Sequence, residues 1–197
     1  MSMKTVLAVI GLVVAIASVS PLALAQVKGP FIGASFGQST ARETCTSAVA
    51  AGTTCDKQDT AIGVFVGHQI DKFSAIEVGY YDLGKFSASG AGGTTTTELK
   101  GFELSGVGSL PLGARFSLFG KFGVFRWNLE QSSAGTGGNF SQSKTGTDVT
   151  YGFGMRFNLT NSFALRAQYQ RYRDIGDGTT GGKSEFDAIS AAAIFSF

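Results

Sequence analysis

The chain has 197 residues, with 16 Lys or Arg against 14 Asp or Glu, 28 glycines, 17 phenylalanines and only 3 prolines. So even a balance excludes nucleic-acid binding through a general basic surface. Glycine mixed with aromatics points instead to repeated short strands and turns.

Residues 1–25 open with a single cation, Lys4, run on through "TVLAVIGLVVAIASV" and finish at "ALA". This reads as a secretory signal peptide cut before Gln26. With Lys4 gone from the 16 basic residues and none of the 14 acidic ones lost, residues 26–197 form one exported domain with a net charge of +1. No later run of ~18 apolar residues provides a second membrane helix. Cys45 and Cys55 flank the polar stretch "TSAVAAGTT". In an oxidising compartment they are expected to form a disulfide, with free thiols or a metal pair as the alternatives.

Beyond the leader there is no helical period, but alternation with period two recurs. Eight strands are expected: 30–39, 60–70, 73–82, 98–110, 114–127, 147–157, 162–172 and 185–197. Their connections alternate in length. The second and third strands join at Asp71 and Lys72, the fourth and fifth at "PLG" (111–113), and the sixth and seventh at "NLTN" (158–161). The others are long and rich in Gly, Ser and Thr: the cysteine stretch, "LGKFSASGAGGTTTT", "NLEQSSAGTGGNFSQSKTG" and "DIGDGTTGGKS". Tight turns on one side and long loops on the other are the pattern of an outer-membrane barrel.

Which face points inward separates a membrane barrel from a soluble one. In the sixth strand Val149, Tyr151, Phe153, Met155 and Phe157 oppose Thr150, Gly152, Gly154 and Arg156. In the seventh, Phe163, Leu165, Ala167 and Tyr169 oppose Arg166, Gln168 and Gln170. The fifth sets Phe116, Leu118, Phe122 and Val124 against Arg115, Ser117 and Lys121, although Phe119 and Phe125 dilute its polar side. Eight strands enclose only a narrow interior. The bulky apolar set overfills it, so that face is expected to meet lipid, and glycines, small residues and a few long polar side chains to fill the inside. Closure is required, because an open edge would leave unpaired backbone groups in hydrocarbon. In the last strand Ile189, Ala191, Ala193, Phe195 and Phe197 share the lipid face, with Phe197 in the periplasmic aromatic girdle.

"PFIGASFG", "FSAIEVGYYDLG", "GFGMRFNLT", "ALRAQYQRYRDIGDG" and the terminal "IFSF", in this order and spacing, make the chain resemble the transmembrane domain of outer membrane protein A and its small eight-stranded relatives. The resemblance implies an all-β, eight-stranded antiparallel up-and-down barrel in the bacterial outer membrane, with loops outside and turns and termini in the periplasm. It implies that Phe195 and Phe197 are the signal read by the barrel-assembly machinery. It extends over the barrel only, and the peptidoglycan-binding domain of many relatives is not expected. Glu77 and Arg166 match positions of an inward acid and arginine in the family, and Lys121 resembles another inward cation. Arg156 stands where relatives tend to have an acid, and Val107 where they tend to have a lysine. If the "PLG" turn is symmetric about Leu112, Glu103 and Lys121 are direct cross-strand neighbours. The expected interior network is therefore a Glu103 to Lys121 pair, with Glu77 shared between Arg166 and, as a further candidate, Arg156.

Such a network can plug the barrel or gate it for small ions, and the structural role is favoured because eight strands leave little lumen. "GASFG" (33–37) matches G-x-S-x-G, but Ser35 falls within a strand where the motif needs a strand-to-helix elbow. The single histidine, His68, is expected on the lipid-side interface near the periplasm, so no serine triad and no catalytic role are assigned. "GTGGNFSQSKT" lacks the ending of a phosphate loop and reads as flexible. No cofactor or metal is implied. The expected partners are outer-membrane lipid and lipopolysaccharide, the barrel-assembly machinery and periplasmic chaperones, with no nucleic acid and a monomeric state. A main structural role with surface interaction through the outer loops ranks first, and a narrow porin-like channel second. A lipid-modifying enzyme, or an adhesin using loop charges such as Arg42, Glu43, Asp56, Lys57 and Lys144, ranks behind them.

Overall fold

The computed structural model describes residues 29–42, 54–90, 93–135, 138–176 and 184–197. Nine strands occur among them: β1 (Pro30–Ala41), β2 (Thr54–Asp56), β3 (Gln58–Gln69), β4 (Ser74–Gly90), β5 (Gly93–Pro111), β6 (Phe116–Gly135), β7 (Gly138–Asn158), β8 (Phe163–Ile175) and β9 (Ser184–Ser196). β1 and β3 to β9 are the eight staves of a closed antiparallel barrel, in which β1 pairs with β9 and the β4–β5 ladder completes the ring. Closure satisfies the backbone groups that lipid cannot. β2 is a short addition against β4, with Cys55 opposite Ala88. The leader at 1–25 and Cys45, and with it the expected bridge to Cys55, lie outside the described residues.

The lower turns are held by local hydrogen bonds. Asp71 Oδ1 accepts from the backbone N–H groups of Phe73 (2.6 Å) and Ser74 (2.8 Å). Thr160 Oγ1 accepts from Phe163 N (2.9 Å). Short polar side chains that bond backbone two or three residues on stabilise such reversals.

Two of the long connections differ from the expected loops. β4 and β5 stay paired up to Gly90 opposite Gly93, and β6 and β7 up to Gly135 opposite Gly138. Both are tall hairpins, and Lys144 lies within β7. Where the staves leave the barrel, the ladders slip: between Asp82 and Lys85 on β4, and between Tyr172 and Ile175 on β8. Gly84 takes a φ of +88° in the first of these bulges, a conformation that favours glycine.

Large apolar side chains fill the outward parity of the staves. Phe36, Phe122, Phe153 and Ile189 are all more than 60% exposed, whereas Phe125 and Ile194 on the opposite parity are fully buried. The interior is richer in rings than a narrow lumen suggests. Phe31, Phe65, Tyr81, Phe119, Phe125 and Trp127 all point inward. They fit because rings lie over inward glycines: Phe31 over Gly67, Phe65 over Gly33, Tyr81 over Gly63 and Trp127 over Gly146, each where a Cβ would otherwise stand. A ring and a glycine together fill one layer at native density.

Candidate functional site

The interior has three levels. Toward the periplasmic turns, Phe31, Phe65, Ala75, Val107, Phe119 and Ile194 form an apolar layer. Toward the outer hairpins, Leu83, Phe86, Leu99, Phe125, Tyr172 and Phe186 belong to a second. Between them lies a cage of charges.

Glu77 on β4, Glu103 on β5, Lys121 on β6 and Arg166 on β8 are all at least 95% buried. Two acids and two bases make the cage neutral, as the cost of burying charge demands. Arg166 donates from Nη1 to Glu77 Oε2 (3.0 Å) and from Nη2 to Glu77 Oε1 (2.5 Å). Lys121 Nζ lies 2.7 Å from Glu103 Oε1 and 3.3 Å from Glu77 Oε2, and it donates to the Tyr81 hydroxyl (3.2 Å). Gln170 closes the outer side, donating to Glu103 Oε2 and to Thr150 Oγ1. The Arg166 guanidinium is also clasped by rings, 5.1 Å from Phe65 and 4.8 Å from Phe119, so the cage is joined to the periplasmic layer by cation–π contact.

Two details differ from the sequence reading. Glu103 and Lys121 do meet, but not as direct neighbours: Glu103 pairs with Phe125 and Lys121 with Val107. The turn is not centred on Leu112, because Leu112 N bonds Phe116 O and the ladder starts only at Pro111 opposite Ser117. Strand tilt in the barrel then brings the two residues to one level. The second cation shared by Glu77 is Lys121, not Arg156. Arg156 sits directly opposite Arg166 in the ladder, and its Nε donates to Asn158 Oδ1 (3.1 Å).

Sequence reasoning passed over Tyr81 and Phe65, and it placed Thr150 and Phe119 on the inward face without a role. Tyr81 has the same parity as Glu77 and Gly79, which is the signal that could have revealed it. Ser35 lies inside β1, facing the interior with strand on both sides, and His68 is exposed on the outward face at the periplasmic end of β3. Phe195 and Phe197 face outward with their rings 5.2 Å apart.

A closed barrel with greasy side chains outside and matched ions inside is an integral protein of the bacterial outer membrane. The family model described as "OmpA-like transmembrane domain" matches residues 25–197, and the chain belongs to that family. It is 26% identical to outer membrane protein A of Serratia marcescens over 144 residues, 72% of this chain and 40% of that protein. It is 25% identical to the Klebsiella pneumoniae protein of the same name over 138 residues, 68% of this chain and 40% of that one. The chain thus spans about two fifths of the length of these curated relatives. Among solved structures, Neisserial surface protein A has the same fold, with a TM-score of 0.63 at 15% identity over 86% of this chain and 97% of that one.

Proposed function

We propose that this protein is a structural element of the outer membrane, a sealed barrel that contributes to envelope integrity and carries its tall hairpins above the surface for interaction there. The neutral charge cage between two apolar layers carries this reading. An ion crossing the barrel would have to displace packed rings and then break a bidentate Arg166 to Glu77 pair, both costly in a low-dielectric interior. The protein works as a monomer amid lipopolysaccharide and phospholipid. It reaches the membrane through periplasmic chaperones and the barrel-assembly machinery, with Phe195 and Phe197 as the assembly signal.

Conductance across planar bilayers tests this reading. The purified chain is expected to give no discrete channels, and Lys121→Ala is expected to add none while both apolar layers stand. Steady unitary openings from the wild-type chain would favour the second reading, a narrow channel. That reading draws on the hydrophilic midsection formed by Lys121, Glu103, Gln170 and Thr150.

A further inference from the structure

The outward face of β4 to β7 changes chemistry in ordered steps as these strands leave the membrane. Leu104 and Val124 are cross-strand partners in an apolar row. One row higher, Phe102 pairs with Arg126, and the Tyr80 ring packs 4.9 Å from Phe102. Further up come ion-paired residues such as Lys100, and then hydroxyls, with Thr96 opposite Ser132 and Ser132 opposite Ser141.

Arg126 breaks the rule followed by the other outward cations of the upper staves. Lys85 pairs with Glu98 (3.6 Å), Lys100 with Glu98 and Glu130 (3.2 and 3.3 Å), Arg171 with Asp187 (2.7 Å) and Arg173 with Glu185 (3.5 Å). Arg126 is exposed and has no acidic partner among the described residues. It stands where the apolar wall gives way to the girdle rings, the level of lipid headgroups. No acid of the described residues neutralises it, and a guanidinium fork suits phosphate oxygens.

We infer that the β4 to β7 wall is a docking face for one lipopolysaccharide molecule. A lipid A phosphate sits on Arg126, acyl chains lie along Leu104 and Val124, and saccharide lies against the hydroxyl rows above. The height of the wall selects this lipid over a glycerophospholipid. From Tyr80 to Gly90 the strand continues for about 33 Å at ~3.3 Å per residue, which a barrel tilt of ~40° turns into about 25 Å of height beyond the girdle. Its polar outward face can be covered by a sugar chain, but not by a compact headgroup.

This inference rests on the outer-membrane reading above, and one experiment separates the two. The full chain is placed in phosphatidylcholine nanodiscs and titrated with diphosphoryl lipid A or with phosphatidylglycerol, reading the temperature at which heat-modifiable gel migration is lost. Lipid A is expected to raise that temperature for the wild type. Arg126→Gln is expected to need about tenfold more lipid A for the same rise, the loss of one charge-assisted contact. Arg126→Lys should fall between them, and Arg173→Gln should match the wild type. Equal responses of wild type and Arg126→Gln, or the same rise with phosphatidylglycerol, overturn the docking face while the barrel stands. A wild-type chain with no folded, heat-modifiable form overturns the barrel reading beneath it.

Discussion

Arg166 on β8 reaches across the barrel axis to Glu77 on β4 and binds both of its carboxylate oxygens, joining two staves that share no ladder. Removing one partner strands a buried charge. Glu77→Gln is therefore expected to cost about 3–5 kcal/mol. Adding Arg166→Met to Glu77→Gln should recover part of that loss, because no uncompensated guanidinium remains. Urea unfolding midpoints in phospholipid vesicles measure both, and a double variant no more stable than Glu77→Gln alone would show that the pair is not coupled.

The ring-over-glycine layers give a second expectation. A methyl group at Gly67 would overlap the Phe31 ring and come within 2.6 Å of the Ile76 carbonyl oxygen, which is backbone and cannot swing away. Gly67→Ala should destabilise by about 1–3 kcal/mol, the usual cost of overpacking. Gly108→Ala, where a Cβ meets nothing within 4 Å, is the matched control and should leave the same unfolding midpoint nearly unchanged.

Asp71 provides a pH dependence in the periplasmic turn, outside the lipid. The backbone N–H of Phe73, and after it Ser74, hold its carboxyl below the ordinary value of 3.8. A carboxylate with a depressed folded-state value adds stability above its unfolded value and loses it as pH falls through the folded one. Acidifying from neutrality to below pH ~3.8 should thus weaken the wild-type chain more than Asp71→Asn. Parallel acid sensitivity of the two would remove the turn as the cause.

Phe197 is 68% exposed and makes its ring contact with Phe195, so truncating it opens no interior cavity. Phe197→Ala should refold in detergent with wild-type yield. In cells it should lower the amount of assembled barrel several-fold, as expected of a residue read during assembly and not needed for packing. Quantifying the heat-modifiable form in outer-membrane fractions tests this. An unchanged level would discard the assembly role.

Much of the barrel is legible from parity alone, since a stave between lipid and a packed interior must alternate. Val149 to Phe157 and Phe163 to Tyr169 show that alternation openly. Glu77 and Arg166 could be picked out because they share a face with small or polar neighbours, and Lys121 because it resembles an inward cation of the family although Phe119 adjoins it. Register was hidden, because the "PLG" turn carries more residues than its tight-turn look suggests, and a shifted centre moved Glu103 from Lys121 to Phe125. The tall hairpins were hidden for another reason. Beyond Phe86, which belongs to the outer apolar layer, no large apolar residue follows, so "SASG" and "TTTT" keep strand geometry with no apolar alternation to betray it. Phe119 and Phe125 are visible on the polar parity of their strand, but Phe31, Phe65, Tyr81 and Trp127 are not expected inside by side-chain size alone, because each is accommodated by a glycine on the neighbouring strand.

The unequal height of the staves has a bearing on crowding. β4 to β7 rise well past the bulge at Gly84, whereas β1 ends at Ala41 and β8 at Ile175. Among the described residues the hydrogen-bonded wall is therefore tallest over β4 to β7. On that side a neighbour in the plane of the bilayer meets paired strand well above the headgroup level, so in a densely packed envelope the wall itself sets how closely another protein's outer part can approach.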